Sequence, residues 1–260
     1  MQQINQHLMK QTFSIILLAS ALLFGCSKSD NNAGTGNNGG NNSSGQGGSL
    51  ARFTIAGRYL YVVDDEKLYT YSLGNSAHPQ LKSTVNIGFS IETIYPYGDK
   101  LFIGSQNAMY IYSIADPELP ASLGTATHVR SCDPVVANDS LAYVTVRSGS
   151  NCGGNINALL VYDIRNVLQP KQLNTVPLTS PWGLGMKGNR LYVCNGTSGL
   201  NVYDITNADK PRQIKQITDE TFFDVIITPD NMLIAMIQGG TALYQLKAND
   251  EMVLLAKITQ

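Results

Sequence analysis

The chain has 260 residues, 43% of them hydrophobic and only 14% charged, with 18 basic side chains against 19 acidic ones. A formal net charge of -1 gives none of the long-range steering expected of a nucleic-acid binder, and no basic cluster compensates locally. Three histidines, of which His7 lies in the leader, and the lack of any Cys-x-x-C argue against a closed zinc site, and no cofactor motif is apparent.

The first element in chain order is a processing signal. After Lys10, FSIILLASALLFGC runs about a dozen apolar residues into Gly25 and Cys26, too short for a comfortable permanent membrane span. The stretch from Met9 is a complete signal by itself, so translation is expected to start there, with residues 1–8 superfluous. Leu23, Phe24, Gly25 and Cys26 resemble the lipobox of bacterial lipoproteins, although Phe24 stands where a small residue is common. The resemblance implies that residues 1–26 are a lipoprotein signal peptide and that Cys26 is the acylated, palmitate-bearing anchor. Residues 27–49, SKSDNNAGTGNNGGNNSSGQGGS, hold no apolar side chain larger than alanine. Nothing there offsets the entropy of ordering, so a flexible tether of about 25 Å is expected, leashing residues 50–260 to the membrane.

Those remaining residues are periodic. Tyr71, Tyr112, Tyr162, Tyr203 and Tyr244 recur at spacings of 41, 50, 41 and 41, and the first four are followed eight residues later by Pro79, Pro120, Pro170 and Pro211. A second anchor, Leu60, Leu101, Leu141, Leu191 and Met232, opens an alternating apolar run after each Gly/Asn/Asp/Pro turn. Each repeat reads as four short strands with no room for a crossover helix, so the expected fold is all-β, a five-bladed β-propeller of about 41-residue repeats. An open β-solenoid or a sandwich is the competing arrangement, but a sandwich gives no reason to repeat a Tyr and a Pro in phase. The repeated phrase VYDITNADKP is then structural: its Tyr strand is expected to pack on the next blade, Asp204 and Asn207 to satisfy turn amides, and Pro211 to open the outer strand.

IYSIADPELP, VYDIRNVLQP and VYDITNADKP resemble the repeat of the LVIVD-repeat family of exported bacterial proteins, over residues 53–246, in four clear copies and one decayed copy. The resemblance implies a β-propeller-like fold and export; the family supplies no catalytic motif to transfer.

Repeat three is the long one, the excess falling in RSGSNCGGNINA between its second and third strands. Such a loop opens on the face where the innermost strands begin, and departures from a repeated frame are where binding usually sits. Cys132 and Cys152 fall on that face, and a disulfide between them would contribute about 3 kcal/mol in an oxidising compartment, leaving Cys194 unpaired. Three cysteines allow three pairings, and the sequence leaves the choice open. Aligning the innermost strands on the leucine anchors brings Arg52, Thr93, Asp133, Gly183 and Asp224 to one level, with Glu92, Cys132, Trp182 and Phe223 just before them.

The expected ligand-binding mouth is therefore Arg52, Glu92, Asp133, Trp182 and Asp224, able to hold a cation or polar ligand against an aromatic wall. The bland alternative is that the carboxylates are solvated or bonded to turn amides and Trp182 caps the core. The sequence favours a membrane-anchored, extracytoplasmic binding or scaffold protein of the bacterial outer membrane, periplasmic or surface-facing, whose partner is an envelope protein or glycan. The second reading is a hydrolase or lyase using Glu92, Asp133 and Asp224. Two opposed carboxylates of separated pKa would be required, and neither a histidine partner nor a nucleophile motif stands near them.

Overall fold

The computed structural model describes residues 48–128, 134–149, 154–207 and 209–259. Cys26, Cys132, Asp133 and Cys152 lie outside these residues. The described chain forms five four-stranded antiparallel sheets, each a meander in sequence order, arranged as a five-bladed β-propeller. Blade one comprises β1 (Phe53–Ala56), β2 (Tyr59–Val63), β3 (Lys67–Ser72) and β4 (Gln80–Asn86). Blade two comprises β5 (Ile91–Tyr97), β6 (Lys100–Ser105), β7 (Ala108–Ser113) and β8 (Ala121–Thr127). Blade three holds β9 (Val135–Ala137), β10 (Leu141–Val146), β11 (Ala158–Asp163) and β12 (Lys171–Pro177). Blade four holds β13 (Leu184–Lys187), β14 (Arg190–Cys194), β15 (Leu200–Asp204) and β16 (Arg212–Ile217). Blade five holds β17 (Phe222–Ile227), β18 (Met232–Ile237), β19 (Gly240–Leu246) and β20 (Met252–Thr259). The innermost strands stand side by side in the order β1, β5, β9, β13, β17.

The repeated phrase has a local cause at each position. In all five blades the third and fourth strands shift register at the tyrosine, so that Lys82, Leu123, Leu173, Ile214 and Leu255 are extra residues on the outer strands. The residue after the tyrosine caps the following turn: Ser72, Ser113, Asp163 and Asp204 accept the amides of Gly74, Ala115, Arg165 and Thr206 through their side chains. The four prolines directly precede β4, β8, β12 and β16, at a sheet edge that does not need their N–H.

Two expectations are corrected. The tyrosine packs on the preceding blade, not the next: Tyr112 joins blade one's cluster, Tyr162 blade two's, Tyr203 blade three's and Tyr244 blade four's. The anchors paired with the tyrosines are Leu60, Leu101, Ala142, Leu191 and Leu233, so Leu141 and Met232 are each one residue early. The reason is turn chemistry. Blades one, two and four use two-residue hairpins opened by Gly57, Gly98 and Gly188 at positive φ. Blade three instead turns on the Asn138 side chain, which accepts the amides of Ser140 and Leu141, and blade five turns through Asn231 at φ 62°.

The core lies between blades. Four apolar clusters join one to two, two to three, three to four and four to five. In blade three every residue of β10 is buried, because both faces of that sheet are covered. Blade one alternates instead, with Thr54, Tyr61, Val63 and Leu68 buried against blade two while Phe53 is 58% exposed on the opposite face. Blade five does the same, with Leu233, Ala235 and Ile237 buried against blade four and Met236 46% exposed. Among the described residues no fifth cluster joins blade five to blade one.

Candidate functional site at the axial mouth

The register fixes which residues share the level where the innermost strands begin. Paired with the residue three beyond each true anchor are Arg52, Thr93, Pro134, Gly183 and Asp224. The sequence reading therefore holds for four blades. In blade three Pro134 occupies the level, because the anchor there is Ala142 and not Leu141. Glu92 and Phe223 are the extra residues of bulges opposite Ser105/Gly104 and Ile237/Met236, and Trp182 directly precedes Gly183.

One group at this mouth is charged and aromatic. Arg52 donates to the carbonyl of Ile91 at 2.9 Å and faces Asp65 at 3.4 Å. Both side chains of that pair are half-exposed or more, so it contributes little. Burial pushes the Glu92 carboxyl above its ordinary range; Arg52 and Arg147 pull it back, Asp65 adds to the rise, and a hydrogen bond with Gln106 opposes it. Arg147 lies with its guanidinium carbon 3.5 Å from the centre of the Trp182 ring, a cation–π contact. Burial lowers the Arg147 pKa and Glu92 partly restores it. The Phe223 ring meets Trp182 edge to face at 4.9 Å. Trp182 thus has one side in the blade four/five cluster and a cation on its face.

Arg147 was not singled out by the sequence reading, although it is the first residue of RSGSNCGGNINA. The structure explains the insertion's position: β10 ends at Val146 and β11 begins at Ala158, and Asn157 closes the loop base by accepting from the amide and hydroxyl of Ser148 at 2.8 and 3.1 Å. Asn157 also donates to the Thr179 carbonyl at 2.8 Å, tying that base to the approach to blade four.

A second group is built around Asp224, and it is held by the chain's own N-terminal end. Gly48 and Ser49, which composition places in the tether, sit buried in the mouth. Ser49 Oγ donates to Asp224 Oδ1 at 3.1 Å and accepts the Leu184 amide at 2.7 Å; the Leu50 amide donates to Asp224 Oδ2 at 3.3 Å. The Ala51 carbonyl then accepts the Ile94 amide of blade two at 2.9 Å. Before entering β1, this strap has bonded to blades five, four and two. It fits because positions 48 and 183 are glycines: a Cβ at either would lie about 2 Å from an Asp224 carboxylate oxygen. Burial raises the Asp224 carboxyl to about 6, opposed by the amides of Leu50 and Val225 and by Ser49.

The mouth thus divides the expected carboxylates. Asp224 is engaged by the strap, while Glu92 belongs with Arg52, Arg147 and Trp182. Cys194 is a buried free thiol whose pKa burial drives well up, which makes it inert. Among the described residues no helix is long and apolar enough to cross a membrane.

No family model matches the chain, and no curated protein matches it. Solved structures do. The periplasmic gluconolactonase PpgL of Pseudomonas aeruginosa is 14% identical with a TM-score of 0.60, over 78% of this chain and 68% of that one. A Lactobacillus plantarum protein is 18% identical with a TM-score of 0.63, over 79% of this chain and 74% of that one. Citrobacter koseri AztD is 13% identical with a TM-score of 0.58, over 79% of this chain and 63% of that one. At these identities the likeness is one of fold, and the fold common to them and this chain is the bladed β-propeller.

Proposed function

We propose that this chain is an LVIVD-repeat, lipid-anchored envelope protein whose propeller binds a partner protein or glycan at the axial mouth. The observation that carries the reading is the Arg52–Glu92–Arg147–Trp182 group at the foot of the insertion, a partly desolvated set of charges against an aromatic face. Such a set suits polar recognition. Acid/base catalysis by opposed carboxylates is disfavoured because both oxygens of Asp224 accept hydrogen bonds from the chain's own strap. The lipobox-like LFGC and the polar tether support attachment through Cys26 to the outer membrane, with the propeller facing the periplasm or the exterior.

Replacing Cys26 with Ala is expected to abolish lipid labelling and move the protein out of the membrane fraction; unchanged labelling rejects the anchor. Capture of partners from gently solubilised membranes, compared between the wild type and Trp182→Ala, tests the mouth. A partner retained by the variant at wild-type yield rejects it. Turnover of a gluconolactone by the purified protein, abolished in Glu92→Gln, would establish the hydrolase reading instead.

A further inference from the structure

The repeat defines an interface four times over. One side of it comes from the outer and second strands of a blade, the other from the tyrosine-bearing face of the blade that follows. Val85 packs on blade two, Leu123 and Ala126 on blade three, Val176 on blade four, and Ile214 and Ile217 on blade five. The residues of β20 at the same phase are Leu255 and Ile258, and these are 51% and 70% exposed. The complementary side is equally bare. Tyr112, Tyr162, Tyr203 and Tyr244 are all buried against a preceding blade, whereas Tyr71 is only half-buried and Phe53 and Ile55 stand exposed beside it. The two uncovered faces are therefore the two halves of one known interface. Within a chain they are linked at the mouth by the strap, and no apolar cluster joins them among the described residues.

We infer that these faces are an interaction surface for a second copy of this chain, with blade five of one copy on blade one of the next. The choice of occupant rests on continuity. The surface that fits the Phe53/Ile55/Tyr71 face is, at each internal interface, the outward face of a preceding blade, and β18 and β20 of a second copy present that face uncovered, through Met236, Leu255 and Ile258. The contact is heterologous, so a pair of copies leaves one face of each kind free and association continues head to tail as concentration rises.

The full chain carrying Phe53→Cys and the full chain carrying Met236→Cys, mixed and oxidised, test this directly. The expected product is an intermolecular disulfide joining positions 53 and 236 in the mixture, identified by peptide mass mapping and absent from either variant alone. Absence of that product overturns the inference. A double variant that cross-links within one chain while the mixture does not would show that blade five closes on its own blade one, which also overturns it. Sedimentation of the full chain in detergent is the companion measurement. Wild type is expected to shift to larger species with concentration, and Met236→Glu to weaken that association at least tenfold with an unchanged melting temperature; a wild type that stays monomeric throughout refutes the surface.

Discussion

Tyr162 and Tyr71 hold the same place in their repeats, each at the bulge where the third strand meets the fourth. Tyr162 is 2% exposed because blade two seals it, and Tyr71 is half-buried because no apolar cluster among the described residues covers its face. Burial in this molecule is thus a property of the neighbouring blade and not of the residue, and the seam relies on a polar strap where every other junction relies on apolar contact.

The largest test removes the same side chain on both sides of that contrast. Tyr162→Ala is expected to cost about 3–5 kcal/mol of unfolding free energy, as for other large buried aromatics, and Tyr71→Ala about 1 kcal/mol. Equal losses by denaturant titration would mean that the seam is sealed.

The next effect lies in the strap's pH dependence. The folded-state pKa of Asp224 is raised to about 6 from an ordinary value of 3.8, so the native state binds the proton more tightly than the unfolded chain. The sign follows: this group's contribution is fully favourable below pH 4, declines as pH rises to 6, and is flat above. At about 1.4 kcal/mol per pH unit the swing is at most about 3 kcal/mol. Asp224→Asn is expected to melt higher than wild type at pH 7.5 and to lose that slope. A variant less stable at pH 7.5 would show that the charge itself holds the seam.

Ser49→Ala removes one acceptor and one donor and leaves the Leu184 amide without its partner. A loss of about 1–2 kcal/mol is expected, with faster hydrogen exchange at Leu184 and not at Tyr143. No change at Leu184 would mean that the strap merely rests in the mouth.

The smallest effect belongs to the aromatic contact. Arg147→Ala should cost under about 1 kcal/mol but alter the emission of Trp182, the only tryptophan in the chain. An unaltered spectrum would place the guanidinium off the ring.

The blades were legible in the sequence because their causes are local: a tyrosine at a bulge, a capping Ser or Asp one residue later, a proline at the start of the outer strand. Each acts within a dozen residues and repeats in phase. The leucine register slipped at Leu141 and Met232, where the turns lack the glycine that defines the two-residue hairpin elsewhere. The mouth was half legible. Arg52, Glu92, Trp182 and Asp224 do gather at the ends of the innermost strands, whereas Arg147 was not singled out within the insertion it opens. Ser49 was hidden by composition, since a Gly/Ser/Asn stretch gives no sign of which serine finds a buried carboxylate 175 residues away. The lack of a fifth apolar cluster among the described residues was invisible, because it depends on how blades one and five meet and no short motif encodes that.

The bulge at each tyrosine bears on how this protein behaves when crowded. Five outermost strands present five free rows of backbone donors and acceptors, each a template on which another chain could extend a cross-β ladder. An extra residue in every one of those strands bends it and increases its twist, so none offers a long flat register to copy. Against that protection β20 is the weak point: it is the longest outer strand, its sequence MVLLAKIT has a single charge, and Leu254, Leu255 and Ile258 stand exposed on it. Fibrillar misassembly at high concentration is therefore expected to begin at the last strand, and Leu254→Lys to delay it more than the same change at Leu81 of β4.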